Sequence, residues 1–256
     1  MRPLETDLAE ALRLADIADG ISASYFRKKG LVASVKRDGS IVTAADRQVE
    51  LALRRHLSKM RPSDGIIGEE FGETVPADRR WIIDPIDGSK AYAGGSPAFA
   101  TLIALETQSV LDVGVVSAPA LRRRWWAVRG KGAFADGLPM RVSSTPTLAD
   151  ARVALADCEG WAHCGQLKAR ERVSQASRDG VAYNNFLSHM GVAEGLIDAA
   201  LEPSAAVWDL AAVQILVVES GGSFTDLAGN ITPRGGSAVA TNGAIHKEVI
   251  GILRCQ

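Results

Sequence analysis

The chain lacks any apolar run approaching the roughly 20 residues that a membrane span needs. Its start, Met1-Arg2-Pro3-Leu4-Glu5-Thr6-Asp7, lacks the basic opening and apolar stretch of a secretory signal. An excess of one charge is lacking too. The 29 Lys and Arg stand against 30 Asp and Glu, a net charge of −1, so no global field draws the molecule to nucleic acid or an anionic membrane. Any anion must be captured locally. Cysteine is scarce: Cys158, Cys164 and Cys255 cannot all pair with one another, and reduced thiols are expected. No Gly-x-x-x-x-Gly-Lys phosphate loop, Gly-x-Ser-x-Gly elbow or His-Glu-x-x-His metal helix is present, nor an internal repeat. The expectation is a soluble, cytoplasmic protein with neither a nucleic-acid nor a membrane partner.

What is present suits a globular chain of one large domain or two closely packed ones. Leu4, Leu8, Leu12, Ala15 and Ala18 recur at helical spacing, as do Val49, Leu53 and Leu57, so two amphipathic helices are predicted in the first 60 residues. The turn-like Lys36-Arg37-Asp38-Gly39-Ser40 lies between them. Short apolar runs then predict strands at Ile66-Ile67, Trp81 to Ile83, Thr101 to Leu105, Val110 to Val116 and Arg124 to Val128. After Val142 a strand at Val153 to Leu155 and a polar helix around Gln166 to Ser177 open a second half of α/β character. Its clearest helix runs from Val207 to Glu219 and stops at Gly221-Gly222.

The most informative segment is Trp81-Ile82-Ile83-Asp84-Pro85-Ile86-Asp87-Gly88-Ser89. An apolar strand delivers two carboxylates, three residues apart, into a glycine turn. Carboxylate oxygens suit Mg²⁺, and the Gly88 and Ser89 amides suit a phosphate oxygen. Taken alone, the same residues equally make an ordinary Asp-Pro turn. Gly68-Glu69-Glu70 ends another strand in acids, which repel unless solvated or metal-bound. Asp209 stands in the first turn of an apolar helix, where it also complements the helix dipole. Thr43-Ala44-Ala45-Asp46 reads both as a helix capping box and as a contributor to a metal site.

Gly68-Glu69-Glu70, Asp84-Pro85-Ile86-Asp87-Gly88-Ser89 and Trp208-Asp209-Leu210-Ala211-Ala212 resemble, in order and spacing, the signature motifs of the inositol monophosphatase family. The likeness extends through Val42 to Asp46, Gly130-Lys131-Gly132-Ala133-Phe134 and Gly221-Gly222. It is strongest toward the actinobacterial histidinol-phosphate phosphatases through Ser117 to Leu121, Arg123 to Trp126 and Gly236 to Gly243. It implies a layered α-β-α-β-α sandwich of α/β class, with an α+β half over residues 1–142 and an α/β half over residues 143–256.

The resemblance further implies a metal site between the halves, holding two or three Mg²⁺. Glu69, Asp84 and the Ile86 carbonyl would hold one, and Asp84, Asp87 and Asp209 a second. A third, weaker ion would sit near Glu69. Water would attack phosphorus directly, its proton passing toward Ser89 and Asp46 or toward Glu69. Ser89 stands where the family usually has Thr. The substrate would meet Asp87, Gly88, Ser89, Asp209, Glu202 and the segment Tyr183-Asn184-Asn185. Glu202 is equally a solvated loop acid. Asn184-Asn185 replaces the Gly-Asp usual in histidinol-phosphatase-like sequences, which leaves two substrates in view: histidinol phosphate, or a cyclitol, aminocyclitol or sugar phosphate. A homodimer inhibited by lithium is the family expectation.

Four other readings fit less well. An aspartyl nucleophile of the haloacid-dehalogenase type fits poorly, because its two acids stand two residues apart. A phosphate-binding scaffold without turnover fits poorly as well, because none of the expected acids is replaced. Arg122-Arg123-Arg124 beside Trp125-Trp126 reads as a hairpin edge rather than a nucleic-acid surface. Cys158, His163 and Cys164 lack a second pair at zinc-site spacing, and His189 reads as core packing near the substrate segment.

Overall fold

The computed structural model describes residues 3–28, 33–36, 39, 41–74, 76–182 and 185–254. Helix α1 (Leu4–Tyr25) is followed by the antiparallel pair β1 (Ala33–Val35) and β2 (Ile41–Thr43), helix α2 (Ala44–Met60), and strands β3 (Gly65–Gly68), β4 (Gly72–Glu73) and β5 (Arg79–Asp87). A short α3 (Ser89–Ala93) leads into β6 (Ala100–Thr107), β7 (Val110–Ala118), β8 (Arg123–Val128), β9 (Gly132–Ala135) and β10 (Leu138–Pro139). Beyond them come β11 (Arg152–Leu155), α4 (Cys158–His163), α5 (Leu167–Ala176), β12 (Asp179–Val181) and α6 (Phe186–Ala193). The chain continues through β13 (Ala199–Glu202), α7 (Val207–Glu219), β14 (Ser223–Thr225), β15 (Ala238–Thr241) and α8 (His246–Arg254).

An eight-stranded sheet has the order β10-β9-β8-β7-β6-β5-β3-β4, and a five-stranded sheet the order β12-β11-β13-β15-β14. In the large sheet only β3 and β5 run parallel, so their C-terminal ends lie side by side. Strand alternation sorts side chains into layers. Trp81, Ile83, Ile103, Leu105, Val113 and Val115 face α1 and α2, while Ile82, Leu102, Ala104 and Val116 face α6 and α7. In the small sheet Ala154, Ala200, Ala238 and Ala240 face α6 and α7, and Val153, Leu201 and Val239 face Trp161, Val173 and Val249 of the outer helices. The result is the expected α-β-α-β-α sandwich. Burying each large apolar side chain contributes about 1.5–3 kcal/mol.

Helix α7 is apolar on nearly every side because it lies between two sheets: Leu210 through Val217 are all buried, Gln214 being the one polar residue of that run. Gly221 at φ 95 and Gly222, whose N–H donates to the Val217 carbonyl at 2.9 Å, close its C-terminus as expected. Glu219 at that end accepts from the Gly130 and Gly132 amides, each at 2.9 Å, and so ties α7 to the β8–β9 turn.

In α1 the buried stripe differs from the predicted one. It runs through Ala11, Leu14, Ala15 and Ala18, with Leu4, Leu8 and Leu12 at its margin. Asp7 and Glu10 are buried in the same stripe because Arg79, at 2.9 Å, and Arg61, at 3.1 Å, neutralise them. Hydropathy alone does not reveal that pairing. Arg123 and Arg124, from the basic-aromatic run, are engaged with Asp136 and Glu194 and with Asp16 and Asp19, and Trp125 is buried against Phe186. Cys158 and Cys164 are exposed and unbridged, and Cys255 lies outside the described residues. No described helix is long and apolar enough to cross a membrane.

Candidate active site

The parallel pair β3 and β5 brings Glu69 beside Asp84, the Glu69 amide donating to the Ile83 carbonyl at 3.3 Å. Past Asp84 the ladder between β5 and β6 loses register until Asp87. Pro85 has no amide proton to give, and its carbonyl accepts from the Thr101 hydroxyl at 2.8 Å. Asp84 Oδ1 accepts from the Ile86 amide at 2.9 Å, which turns the carboxylate along its own strand end. Gly88 then adopts φ 82, and a Cβ there would lie 2.7 Å from Asn185 Nδ2 and 2.8 Å from the Ala98 carbonyl. Only glycine fits.

Three helix N-termini converge on this strand end. At the start of α2, Thr43 donates to Asp46 Oδ2 through its amide at 2.8 Å and its hydroxyl at 2.6 Å. That capping box pins one oxygen of Asp46 and leaves Oδ1 to the Ser89 hydroxyl at 2.5 Å. The single Ser89 proton has a second acceptor in the Ile86 carbonyl at 2.8 Å. At the start of α7, Asp209 Oδ2 accepts from the Ala206 amide at 2.7 Å. At the start of α6, the Phe186 amide donates to Asp87 Oδ2 at 2.8 Å. Each acid thus faces the positive end of a helix. Asp46 and Asp209 keep their local capping roles while pointing into the site.

Ligand oxygens of Asp84, Asp87 and Asp209 all lie within 4.8 Å of one another. Burial, and then the charges of Glu69, Asp87 and Asp209, push the Asp84 carboxyl well above the usual range. Burial and Asp209 do the same to Asp87, and burial is the largest cause that pushes Asp209 up to about 7. So many carboxylates in one place call for a cation. Lys36 meets part of that demand, donating to Glu69 at 2.7 Å and Glu70 at 2.5 Å. Glu50 is buried under the same turn and accepts from the Glu70 amide at 2.7 Å and the Phe71 amide at 3.2 Å.

Glu69, Asp84, Asp87 and Asp209 line a cavity of about 590 Å³ together with Ile86, Gly88, Ser89, Ser204 and Trp208. A second cavity of about 530 Å³, lined by Ala154, Asp157, Ser188, Leu201 and Glu202, shares Lys90 and Asn185 with the first. Asn185 holds φ 57 and ψ −150. L-residues rarely adopt that conformation, which costs about 1–3 kcal/mol.

Residues 4–256 match the sequence profile of the inositol monophosphatase family. The chain belongs to that family. It is 49% identical over 250 residues to a histidinol-phosphatase of Mycobacterium tuberculosis, covering 95% of this chain and 96% of that protein. It is 43% identical over 256 residues to a histidinol-phosphatase of Streptomyces coelicolor, covering 96% of each. Among solved structures, an inositol monophosphatase from Zymomonas mobilis superimposes with TM-score 0.89 at 29% identity and full coverage of both chains. The protein is therefore a phosphatase, a phosphoric monoester hydrolase.

Inositol monophosphatase family members use divalent metals, typically Mg²⁺, and the donor set fits such an ion: three carboxylates within mutual reach, further acids around them and a backbone carbonyl, all hard oxygen. Of the residues singled out in the sequence, Glu69, Asp84, Ile86, Asp87, Gly88, Ser89, Asn185 and Asp209 line one cavity, and Asp46 touches it through Ser89. Glu69 lies outside the tight acidic trio, held by Lys36. Glu202 lines the adjoining cavity. Tyr183 and Asn184 lie outside the described residues. Lys36, Glu50, Lys90 and Asp157 were not anticipated. Lys90, the residue directly after Asp87-Gly88-Ser89, had a positional signal, whereas Glu50 had none beyond being an acid on an otherwise apolar face.

Proposed function

We propose that the enzyme hydrolyses a small phosphomonoester with Mg²⁺ bound by Glu69, Asp84, Asp87, Asp209 and the Ile86 carbonyl, and that L-histidinol phosphate is the substrate its site suits best. The observation that carries this reading is the pairing of two joined cavities, one lined by the acidic trio and the other by Glu202 and Asp157. A phosphate fits the first, once metal charge offsets the acids. The cationic amine of a histidinol leaving group fits the second, beside two carboxylates. Two or three bound Mg²⁺ would supply Lewis-acid stabilisation of the charge on the phosphoryl, attacking and leaving oxygens.

The chain's own residues do the rest. Asp46 Oδ1, with its partner oxygen pinned by Thr43, accepts from Ser89, so a proton leaving the attacking water passes through Ser89 to Asp46. The Gly88 and Ser89 amides receive a phosphate oxygen. Asn185 and Glu202 orient the leaving group.

A cyclitol, aminocyclitol or sugar phosphate is the second reading, and Asn185 favours it. A neutral amide beside Gly88 offers a donor and an acceptor to hydroxyl groups but no charge to an ammonium. Phosphate release decides between them, measured from L-histidinol phosphate, myo-inositol 1-phosphate, an aminocyclitol phosphate and fructose 1,6-bisphosphate, each with Mg²⁺ and with EDTA. A Mg²⁺-dependent preference for histidinol phosphate is expected. Preference for a cyclitol or sugar phosphate overturns the first reading in favour of the second. The same proposal takes the enzyme to be a cytoplasmic homodimer, which light scattering on the purified protein checks.

A further inference from the structure

His189 sits in α6 between the two sheets, 2% exposed, with its ring centroid 6.0 Å from that of Phe224. Its Nε2 lies 3.2 Å from Glu202 Oε2, and its buried Nδ1 has no partner among the described residues. A phenylalanine or leucine would fill such a space without burying an unpaired nitrogen, which carries a desolvation penalty. Among the described residues, the one polar contact that offsets this penalty goes to a carboxylate on a cavity wall.

Glu202 is the last residue of β13, followed by Pro203 and the short segment that enters α7. Its side chain is 29% exposed and lines the second cavity with Asn185 and Ser188. A half-open glutamate samples several rotamers, and fixing one of them when substrate arrives costs entropy. Contact with a buried ring removes that freedom beforehand. The same helix acts on both ends of the site. Its first residue, Phe186, donates to Asp87, and three residues on, on the same face, His189 meets Glu202.

We infer that His189 is a positioning residue for leaving-group recognition: Nε2–H donates to Glu202 Oε2 and holds the carboxylate so that Oε1 accepts from an ammonium or hydroxyl donor on the alcohol half of the substrate. The inference rests on the phosphatase reading and extends it from the phosphate to the group that departs. It applies to both substrate readings, since histidinol and cyclitols each carry such donors.

The test compares His189→Phe, which keeps the ring packing on Phe224 and deletes the donor, with His189→Gln, which restores an N–H at a similar reach. Two kinds of substrate are used: L-histidinol phosphate and myo-inositol 1-phosphate, which bear donors, and 4-nitrophenyl phosphate, whose leaving group bears none. Removing the donor is expected to lower kcat/KM on the better donor-bearing substrate about tenfold or more, mainly through KM, and on 4-nitrophenyl phosphate less than about threefold. His189→Gln is expected to recover most of the loss. The effect of Glu202→Gln is expected to shrink in the His189→Phe background.

Equal losses on both kinds of substrate, or no loss on either, overturn the positioning role. So does additivity of the two substitutions. Hydrolysis of 4-nitrophenyl phosphate by the wild-type protein with none of any donor-bearing phosphate overturns it while leaving the phosphatase reading intact. No hydrolysis of any phosphate overturns both. Should the phenylalanine variant not fold, as its melting curve will reveal, His189→Met removes the same donor and the same outcomes decide.

Discussion

The two joined cavities are built in different ways. Around the acidic trio four carboxylates are held from their own backbone or from a helix start, Asp84 by Ile86, Asp87 by Phe186, Asp209 by Ala206 and Asp46 by Thr43, while Glu69 is held by Lys36. Around Glu202 the walls are alanines, serines, Lys90, Asp157 and the entry to α6. One lobe is fixed by hydrogen bonds within and between regular elements, the other by a few side chains that substitution changes readily. Phosphate chemistry common to a family belongs in the first kind of place, and choice of leaving group in the second.

The sharpest way to break this comparison is in the acidic lobe. Asp84→Asn or Asp209→Asn is expected to reduce kcat by roughly a thousandfold or more, because both the charge and the ligand oxygens are altered where they are most crowded. Retained circular dichroism would show that the fold survives; an active purified variant would sink the metal assignment. Ser89→Ala is expected to lower kcat by about 10²–10⁴-fold, the range for loss of a positioned proton carrier, with Ser89→Thr close to wild type. If Ser89→Ala were harmless, the route to Asp46 would be wrong.

A smaller effect concerns stability without metal. Asp84, Asp87 and Asp209 titrate above their ordinary range in the folded state, Asp209 at about 7. The native state therefore holds more protons than the unfolded one between the ordinary carboxylate value of 3.8 and about 7. Its stability falls as pH rises through that window. In EDTA the melting temperature should drop from pH 5 to pH 8, and Mg²⁺ should reduce the slope. A melting temperature that rose over this range in EDTA would contradict the crowding of charge described for the trio.

The acidic lobe was the more legible of the two in the sequence, and its construction explains why. Asp84 and Asp87 sit on one strand end, Asp46 and Asp209 in first turns of helices, and each position carries a local pattern of turn, cap or apolar run. Strands β3, β5 to β8 and β11, and helices α2 and α7, were legible for the same reason. What the pattern concealed was contact between distant elements. Lys36 reaching Glu69, Glu50 receiving the Glu70 amide and His189 meeting Glu202 depend on how layers pack rather than on spacing along one helix. The displaced stripe of α1 has this cause as well, since Asp7 and Glu10 count as polar until Arg79 and Arg61 arrive from elsewhere.

Helix α7 carries Asp209 near one end and is tied at the other by Glu219 to the Gly130 and Gly132 amides. The two acids stand ten positions apart along the helix, about 15 Å at 1.5 Å per residue. Packed between two sheets from Leu210 to Val217, the helix is a strut held at its far end by those two hydrogen bonds. The hairpin turn between β8 and β9 thus anchors the end of α7 opposite Asp209 through residues that lie outside the cavity lining.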